Sequence, residues 1–447
     1  MTHGRLLAIH DISCVGRCSL TVALPIISSL GIECSVLPTA VLSTHTGGFT
    51  GFTYRDLTSD FEGIQDHWRS LGLTFDSIYT GFLGSYEQID MVKDLIDDLS
   101  SEVSTIYIDP VMGDIGQLYS VFDSDFPKGM FSLCQKADVL KPNVTELCLM
   151  LGIEYRPGPY TKQFIQMLID KSEVFNLRKI VITGVSYENG KVGAVFKDYE
   201  TGETGDIMRD QIEGYYHGTG DVFGSTLVGC LESGLSLRDS VSCAVDLVVD
   251  SIIRTHVSGA DVRYGVDFEQ GLCKLSNRVR AISNGIGFEA VTTDYGISRV
   301  AGLAAKIWPE AYDYIVPKGQ IEYMVRNMQS FVPISEKIKE GSEYYIIRSG
   351  DEDIGYIGLK REEDRMFLSK LYLLKSYRGF GISHKAVDFI KDLAESYGLH
   401  KVYLTVNRLN TTAVNSYKRN GFKIVKQVDN PIGEGYEMND FVMELQV

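Results

Sequence analysis

The first part of this 447-residue chain alternates short β-rich runs with segments whose apolar residues repeat at helical spacing. This alternation is typical of an α/β domain in which helices cover both faces of a parallel sheet. Because ligands of such sheets collect at the carboxyl ends of the strands, we expect the chemistry at that edge. Helical spacing is clearest over Tyr86–Leu99. The predicted strands are Arg5–His10, Glu33–Pro38, Asp76–Gly81, Thr105–Asp109, Asp138–Lys141 and Lys179–Thr183.

A change of pattern at the small-residue stretch Ser283–Gly287 predicts two domains, residues 1–283 and residues 284–447. The first holds 22 Lys and Arg against 37 Asp and Glu, a formal charge of −15, whereas the second holds 21 against 22, a charge of −1. All eight cysteines also precede residue 284. These differences indicate two units of separate origin.

The second domain is predicted to mix helices and strands in an α+β fold. Its predicted helices span about 295–308, 320–329, 381–397 and 411–420. Its predicted strands are 344–349, 353–360, 365–374 and 401–406, with two more strands before the end of the chain.

Composition excludes several classes of protein. A net charge of −16 argues against a general nucleic-acid binder, and no run approaches the roughly 20 apolar residues that a membrane span needs.

The residues Met1–Arg5 lead into an apolar run too short for a signal peptide, so we expect a cytoplasmic protein. Cys14 and Cys18 are the closest cysteines and lack further zinc ligands, which predicts free thiols.

A glycine motif in the first domain predicts an anion-binding site. Gly218, Thr219 and Gly220 precede a small-residue helix, and N–H groups at a helix start favour a migrating phosphoryl group. Asp221 follows, where a carboxylate can accept the proton of an attacking hydroxyl. The alternative is a glycine turn with an aspartate cap.

Two further segments predict oxygen ligands for Mg²⁺. Asn143 and Glu146 stand three residues apart at a strand-to-helix junction, a spacing that also fits a helix capping box. Both interpretations can hold at once. Asp109 ends another strand and could add charge near the metal, although an aspartate before proline is also common in turns.

Together these motifs resemble the pyridoxal and pyridoxamine kinases of the ribokinase-like superfamily over about residues 4–280. The resemblance implies a doubly wound sheet, a homodimer, and ATP-dependent phosphorylation of the 5′-hydroxymethyl group of a vitamin B6 vitamer. It gives Asp221 the role of base, Gly218–Gly220 that of anion hole, and Asn143, Glu146 and Asp109 a role in holding Mg²⁺. The motifs are His45-Thr46-Gly47-Gly48, Gly81-Phe82-Leu83-Gly84-Ser85, Asp109-Pro110-Val111-Met112-Gly113, Asn143-x-x-Glu146 and Gly218-Thr219-Gly220-Asp221.

The same resemblance assigns the substrate and nucleotide contacts. It places Asp11, His45 and Thr46 against the pyridine substituents and Phe82 on the ring, although Phe82 could be plain core. Asp11 departs from the serine common in that family, and a carboxylate favours an amine-bearing vitamer such as pyridoxamine. Hydroxymethylpyrimidine kinase is the rival interpretation, because a pyrimidine amine also needs polar partners. Thr183 and Gly184 fall where the family binds ATP.

In the second domain a strand runs into the glycine-bearing loop Arg378–Ser383, which opens a helix, a geometry suited to a pyrophosphate. The pattern Asn407-x-x-Asn410-x-x-Ala413-x-x-x-Tyr417 follows. Together these features are similar to the GNAT acetyltransferases over about residues 286–447. The resemblance implies that the loop holds acetyl-CoA, that the strand near Leu371 and Leu373 pairs with the pantetheine arm, that Asn410 contacts the cofactor, and that Tyr417 protonates the leaving thiolate. Ser383 departs from the usual glycine or alanine. The loop residues are Arg378, Gly379, Phe380, Gly381, Ile382 and Ser383.

The residues do not identify the acceptor or the general base of acetyl transfer. Tyr417 could instead pack on the sheet. Glu352, Glu362 and Glu363 are candidates for the base only as surface carboxylates. The second domain is therefore expected to be either an N-acetyltransferase for an unidentified amine or a non-catalytic acetyl-CoA sensor or structural module.

Overall fold

The computed structural model describes residues 4–99 and 103–447. Internal contacts divide the chain into a first unit that ends at Val279 and a second that begins at Arg280. The division falls inside the helix Leu272–Ser283, a few residues before the predicted boundary. Met1–His3, which open the segment considered above as a signal peptide, lie outside the described residues.

Nine strands of the described first unit form one sheet in the order β11-β10-β9-β8-β5-β4-β1-β2-β3. Those from β9 to β2 in this order run parallel to their neighbours. The strands β6 and β7 pair separately. The strands are β1 (Arg5–Ser13), β2 (Glu33–Leu42), β3 (Tyr54–Asp56), β4 (Ser77–Thr80), β5 (Thr105–Ile108), β6 (Gly113–Asp114), β7 (Gln117–Leu118), β8 (Val139–Leu140), β9 (Lys179–Val185), β10 (Lys191–Asp198) and β11 (Thr204–Asp210).

Helices cover both faces of this sheet. Apolar side chains of the helices from α2 to α6 join one core cluster, and those of α7 and α8 join another, against which α1 also packs. The helices are α1 (Leu20–Ser29), α2 (Thr58–Leu71), α3 (Tyr86–Leu99), α4 (Phe126–Cys134), α5 (Val144–Leu151), α6 (Lys162–Lys171), α7 (Thr219–Glu232), α8 (Leu237–Ser258) and α9 (Leu272–Ser283).

The sheet differs from the predicted one at its edges. All six predicted strands are present in the parallel part, and α3 has the predicted bounds. However, β3 at one edge and β10 and β11 at the other are antiparallel. Short turns join β9 to β10 and β10 to β11, and such connections can join only antiparallel strands. The sheet therefore has the predicted parallel centre and, in addition, antiparallel strands at both edges.

The second unit contains a second sheet, in the order β12-β13-β14-β15-β16-β18-β17. Helices α10 to α12 contribute to a core cluster with β13 and β14, whereas α13 and α14 contribute to another. Its strands are β12 (Ile286–Ala290), β13 (Ser342–Ser349), β14 (Glu352–Arg361), β15 (Met366–Leu373), β16 (Lys401–Asn407), β17 (Lys423–Gly433) and β18 (Tyr436–Gln446). Its helices are α10 (Asp294–Tyr312), α11 (Lys318–Met328), α12 (Phe331–Lys339), α13 (Ile382–Ser396) and α14 (Thr411–Arg419).

Two elements of the second unit were not predicted. Strand β12 begins in the small-residue stretch that marks the predicted domain boundary, and it pairs with β13. Helix α12 follows α11 after a break of only two residues. Among the described residues, every helix is too short or too polar to cross a lipid bilayer.

Candidate active sites

The start of α7 carries the glycine motif predicted as an anion hole. Gly218 precedes the helix with a φ of 75°, and a Cβ there would lie 2.1 Å from the carbonyl oxygen of Arg17. Only glycine fits this position. Thr219, Gly220 and Asp221 form the first helical turn, where backbone N–H groups lack helical acceptors and favour a negative charge.

A buried ion pair lies beside this turn. Nζ of Lys141 is 2.6 Å from Oδ2 of Asp109 and donates a 3.3 Å hydrogen bond to the carbonyl oxygen of Gly220. Burial raises the pKa of Asp109 to about 6, although Lys141 opposes the shift. Burial alone would lower the pKa of Lys141, but Asp109, Glu146 and Asp221 together raise it. Lys141 is therefore an ammonium group in contact with the start of α7.

Asn143 and Glu146 form the capping box that the sequence predicts. Oδ1 of Asn143 accepts from the Glu146 N–H at 2.8 Å, and Oε2 of Glu146 accepts from the Asn143 N–H at 2.8 Å. Nδ2 of Asn143 donates to the carbonyl oxygen of Gly113, and Oε1 of Glu146 accepts from the Met112 N–H. Burial, and then the charge of Asp109, raise the pKa of Glu146 to about 8.

These residues suit Mg²⁺ held through water. The polar atoms of Asn143 are already bonded, but the carboxylates of Asp109 and Glu146 keep lone pairs that can accept from metal-bound water. Because burial raises the pKa of Glu146, a bound cation would also favour the ionised form of this carboxyl. Within residues 4–99 and 103–447 no three His, Cys, Asp or Glu side chains converge as a metal site, so nucleotide phosphates would have to supply further oxygens.

Three of the five residues predicted to bind ATP line one cleft of about 310 Å³, whereas Asp109 and Glu146 are not part of its wall. Asn143, Thr183 and Gly184 all contribute to its wall, together with Asp114 and Tyr155. Thr183 and Asn143 meet in an isolated parallel bridge, because β9 lies beside β8 in the sheet. The structure therefore brings these three predicted residues together.

Asp11 lies at the end of β1 in a buried hydrogen-bonded group. Its Oδ1 accepts a 2.5 Å hydrogen bond from Oγ of Ser19, whose φ of 54° is unusual for a serine. Burial raises the pKa of Asp11 to about 6, Ser19 opposes the shift, and Asp221 adds to it. The thiol of Cys18 donates to Oδ2 of Asp221 at 3.3 Å. Ser19 thus bonds to the carboxylate of Asp11, and its neighbour Cys18 bonds to that of Asp221.

The other predicted substrate residues have different surroundings. Both ring nitrogens of His45 bond to backbone, since Nε2 lies 2.5 Å from the Arg263 carbonyl oxygen and Nδ1 accepts from the Gly47 N–H at 3.1 Å. These partners require a neutral imidazole with the proton on Nε2. Thr46 is exposed, and Phe82 is half-buried at the edge of an aromatic cluster. His45 therefore holds the loop as well as lying near the site.

Sequence reasoning missed Lys141 and Cys18 as parts of this site. Lys141 ends a predicted strand directly before Pro142, among strand ends that carry acidic residues. Because the ends of parallel strands meet at one edge, an ion pair with Asp109 could have been inferred from this placement. No sequence signal links Cys18 to Asp221, which is about 200 positions away.

The loop predicted to bind a pyrophosphate lies between β15 and α13. Gly379 and Gly381 have φ values of 87° and 75°, and the space around both is open. Gly381 is the residue before α13, so the first N–H groups of Ile382 and Ser383 lie at the loop. Arg378 anchors its start, because its Nε donates to the carbonyl oxygen of Leu373 at 2.9 Å.

Strands β15 and β16 separate before they end. Their parallel pairing covers only Met366–Leu368 with Val402–Leu404, although β15 continues to Leu373 and β16 to Asn407. The later part of β15, which includes Leu371, keeps backbone groups without a β16 partner. Such an edge can accept an extended ligand, as predicted for the pantetheine arm.

Asn410 and Tyr417 belong to the element that follows β16. Oδ1 of Asn410 accepts from the Ala413 N–H at 3.1 Å and so begins α14. Burial, and then Tyr312, raise the pKa of Tyr417, so its hydroxyl keeps its proton. Its ring also packs against Phe422. Tyr417 therefore packs against the core and keeps a protonated hydroxyl.

The glutamates considered as general bases have other partners or surroundings. Glu352 accepts from the hydroxyl of Tyr377 at 2.7 Å. Glu362 accepts from Tyr403 at 2.6 Å and from Arg365 at 2.8 Å. Glu363 is exposed.

Comparison with known proteins finds a different family for each unit. The profile of the phosphomethylpyrimidine kinase family matches residues 24–264, and that of the GNAT acetyltransferase family matches residues 307–422. A pyridoxal kinase of Dictyostelium discoideum is 25% identical over 280 residues, which are 57% of this chain and 87% of that protein. An uncharacterized N-acetyltransferase of Mycobacterium bovis is 32% identical over 146 residues, 32% of this chain and 93% of that protein.

A solved structure from Bacteroides thetaiotaomicron, described as a phosphomethylpyrimidine kinase, superposes with a TM-score of 0.59 at 36% identity. The match covers 62% of this chain and 94% of that protein. A second crystal form of it contains pyridoxal and gives a TM-score of 0.58. With the GNAT match, these findings confirm the predicted fold class of both units.

The buried ion pair predicts a large loss of stability in Lys141→Met. Removing Lys141 leaves Asp109 buried without a cation, which costs about 3–5 kcal/mol when one partner of such a pair is deleted. Calorimetry should show the transition of the first unit several degrees lower. The double variant Lys141→Met/Asp109→Asn should recover much of the loss.

Lys136→Met is the matched control. Lys136 contacts Asp97 at 2.6 Å on the surface, where a pair contributes about 0–1 kcal/mol. Equal losses in the Lys136 and Lys141 variants would contradict the structural role of the buried pair.

Proposed function

Because this chain belongs to the phosphomethylpyrimidine kinase family through its first unit and to the GNAT acetyltransferase family through its second, we propose a bifunctional enzyme. The first domain, residues 1–283, phosphorylates the 5′-hydroxymethyl group of a vitamin B6 vitamer with ATP. The second, residues 284–447, transfers an acetyl group from acetyl-CoA to an amine. The carrying observation for the kinase is that the Gly218–Asp221 helix start, the Lys141–Asp109 pair and the cleft at Thr183 lie at one edge of the sheet.

In the proposed phosphoryl transfer, Asp221 accepts the proton of the vitamer hydroxyl as the oxygen attacks the γ-phosphorus of ATP. The N–H groups at the start of α7 hold the migrating group, and Lys141 offsets its negative charge. Mg²⁺ bound with the nucleotide would neutralise phosphate charge. Asp109 and Glu146 would hold it through water, and Asn143 orients Glu146.

The proposed nucleotide site is the cleft lined by Asn143, Thr183 and Gly184. Its volume of about 310 Å³ lies within the usual range for a small-molecule site. Gly184 has a φ of 71° and leaves open space where a Cβ would stand, which lets a ligand approach the backbone.

A B6 vitamer is the preferred substrate class for two reasons. The Bacteroides relative, 36% identical, has been crystallised with pyridoxal. Asp11, buried and held by Ser19, offers a carboxylate that can pair with the amine of pyridoxamine. Hydroxymethylpyrimidine stays the second candidate, since the family profile and the name of that relative both refer to a pyrimidine kinase.

Asp221→Asn should nearly abolish phosphorylation while nucleotide binding persists. An amide cannot accept the hydroxyl proton, and loss of a general base lowers kcat by about 10²–10⁴-fold. ADP release reports turnover, and calorimetry reports ATP binding. Asp210→Asn, an exposed residue at the end of β11, is the control and should behave as wild type. Near-normal turnover of Asp221→Asn would exclude its role as base.

The preference for pyridoxamine over pyridoxine should depend on pH. The pKa of Asp11 is raised to about 6, so the carboxylate that pairs with the substrate amine is lost as the pH falls through 6. The ratio of kcat/KM for the two vitamers should therefore fall below pH 6. In Asp11→Asn the ratio should be low and independent of pH. A ratio unchanged by the substitution would contradict the pairing.

A direct comparison of kcat/KM separates the two substrate classes. Pyridoxamine, pyridoxal, pyridoxine and 4-amino-5-hydroxymethyl-2-methylpyrimidine are each supplied with Mg-ATP. Faster turnover of the pyrimidine would replace the B6 proposal with the second candidate.

For the second domain, the carrying observation is the separation of β15 and β16 beside the Gly379–Ser383 loop. The loop N–H groups hold the pyrophosphate of coenzyme A, the free edge of β15 near Leu371 and Leu373 pairs with the pantetheine arm, and Asn410 contacts the cofactor. Phe380 and Arg378 support the loop. Tyr417 gives its proton to the leaving thiolate.

Gly381→Ala should weaken coenzyme A binding. A side chain at a left-handed φ costs about 1–2 kcal/mol, and any shift of the loop that relieves it disturbs the N–H groups. We expect Kd, measured by calorimetry, to rise at least tenfold. Gly302→Ala in α10, where nothing lies near the added Cβ, is the control. Binding without acetylation of any amine would favour the sensor, and no binding by wild type would favour a structural module.

A further inference from the structure

Lys370 lies just past the point where β15 and β16 separate. The β16 pairing ends at Leu368, and Lys370 pairs on its other side with Gly358 of β14. Its neighbour Tyr372 belongs to the core cluster formed with α10 to α12. The Lys370 side chain also lies on that face, with Nζ 6.0 Å from the ring centre of Trp308 in α10. It therefore lies on the face of the sheet opposite α13.

The surroundings of Lys370 favour a neutral amine. Burial, and then the charge of Lys337 in α12, lower the pKa of Lys370 to about 7, while Asp440 in β18 acts in the opposite direction. Nζ donates a 2.9 Å hydrogen bond to the carbonyl oxygen of Ser369, and its other hydrogen-bonding positions are available to a ligand. Near neutral pH a large fraction of the molecules therefore has Lys370 as a neutral amine with a free electron pair.

Asp440 of β18 lies beside the end of β16, where it pairs with Asn407 beyond the point at which β16 leaves β15, and it supplies an unsatisfied acceptor. It is 5% exposed, and its Oδ1 has no hydrogen-bond partner among the described residues. Burial raises its pKa, whereas Arg408, Thr405 and Lys370 lower it. A buried carboxylate oxygen without a donor is costly. A ligand with an N–H donor would remove that cost.

We infer that Lys370 and Asp440 form the acceptor subsite of the second unit, where Asp440 binds the ammonium group of a primary amine and Lys370 is the general base. This inference rests on the proposed acetyl transfer and names the base that the glutamates of this unit do not supply. Glu352 and Glu362 are bonded to tyrosines, whereas Lys370 stands at the opening where the proposed thioester would lie.

The proton balance of the step is simple. Lys370 takes one proton from the acceptor ammonium, and the freed electron pair of the amine forms a C–N bond with the thioester carbonyl carbon. The C–S bond breaks, and the thiolate takes the proton of Tyr417. After the C–N bond forms, the nitrogen loses one of its two protons, and Lys370 releases the proton that it took. One of these two protons restores Tyr417 and the other passes to solvent. The net reaction therefore releases acetylated amine, free thiol and one proton.

The first test uses the full chain, acetyl-CoA and a panel of ethanolamine, benzylamine and pyridoxamine. Lys370→Met should lower kcat/KM about 100-fold, and Lys370→Arg, which stays charged, should not restore it. In wild type kcat/KM should rise with pH through about 7, because the neutral amine is the active form. Both variants should lose this rise. Asp440→Asn should raise KM for the amine more than it lowers kcat.

Two controls separate this inference from the proposed function. Lys360→Met removes an exposed lysine from β14 and should match wild type. Coenzyme A binding, measured by calorimetry, should be equal in wild type and Lys370→Met. Absence of that binding in wild type would contradict the proposed function itself. Equal binding with wild-type turnover and pH profile in Lys370→Met would overturn the role of Lys370.

A second measurement does not depend on the acceptor. Reductive ¹³C-methylation of the lysines gives one NMR signal each, and the signal absent from Lys370→Arg belongs to Lys370. Titration near pH 7 supports the inference, and titration near the ordinary lysine value of about 10.4 overturns it. Acetylation of Lys370 itself by acetyl-CoA, seen by peptide mass spectrometry with no transfer to amines, would make it a nucleophile and overturn its role as base.

Discussion

Parallel pairing of neighbouring strands is the constraint on which both candidate sites depend. In the first unit it brings the ends of β1, β5, β8 and β9 to one edge, where the start of α7 also lies. In the second unit the one parallel pair of the described sheet is β15 with β16, and its early separation opens the gap beside α13. Parallel strands need crossover connections, and the crossovers from β8 to β9 and from β15 to β16 begin with α5 and α13, so each site has a helix start beside strand ends.

Charge distinguishes the two sites. At the first, Asp11, Asp109, Glu146 and Asp221 outnumber Lys141, and burial raises the pKa of three of these carboxyls. Such a site favours cations, and in the proposed phosphoryl transfer it would act through electrostatics. At the second, burial and the nearby charge of Lys337 lower the pKa of Lys370. Burial thus raises the pKa of carboxyl groups in the first unit and lowers the pKa of a lysine in the second.

The order of elements was largely predictable because local patterns carry it. Helical spacing predicted the first and last residues of α3, and the spacing of Asn143 and Glu146 predicted the capping box. Both features depend on residues close in sequence. The antiparallel edges β10 and β11 were missed because strand direction depends on turns and on a neighbour. Helix α12 was missed because α11 lies only two residues before it.

The sequence by itself determined the two families, the strand ends that bear acidic residues, and the glycines at the starts of α7 and α13. These follow from local conformation, since only glycine tolerates the backbone of Gly218. Tertiary structure alone decided that Lys141 pairs with Asp109, that Cys18 contacts Asp221, and that Lys370 shares its surroundings with Asp440. The reason is physical: protonation state and ion pairing depend on burial and on neighbours distant in sequence.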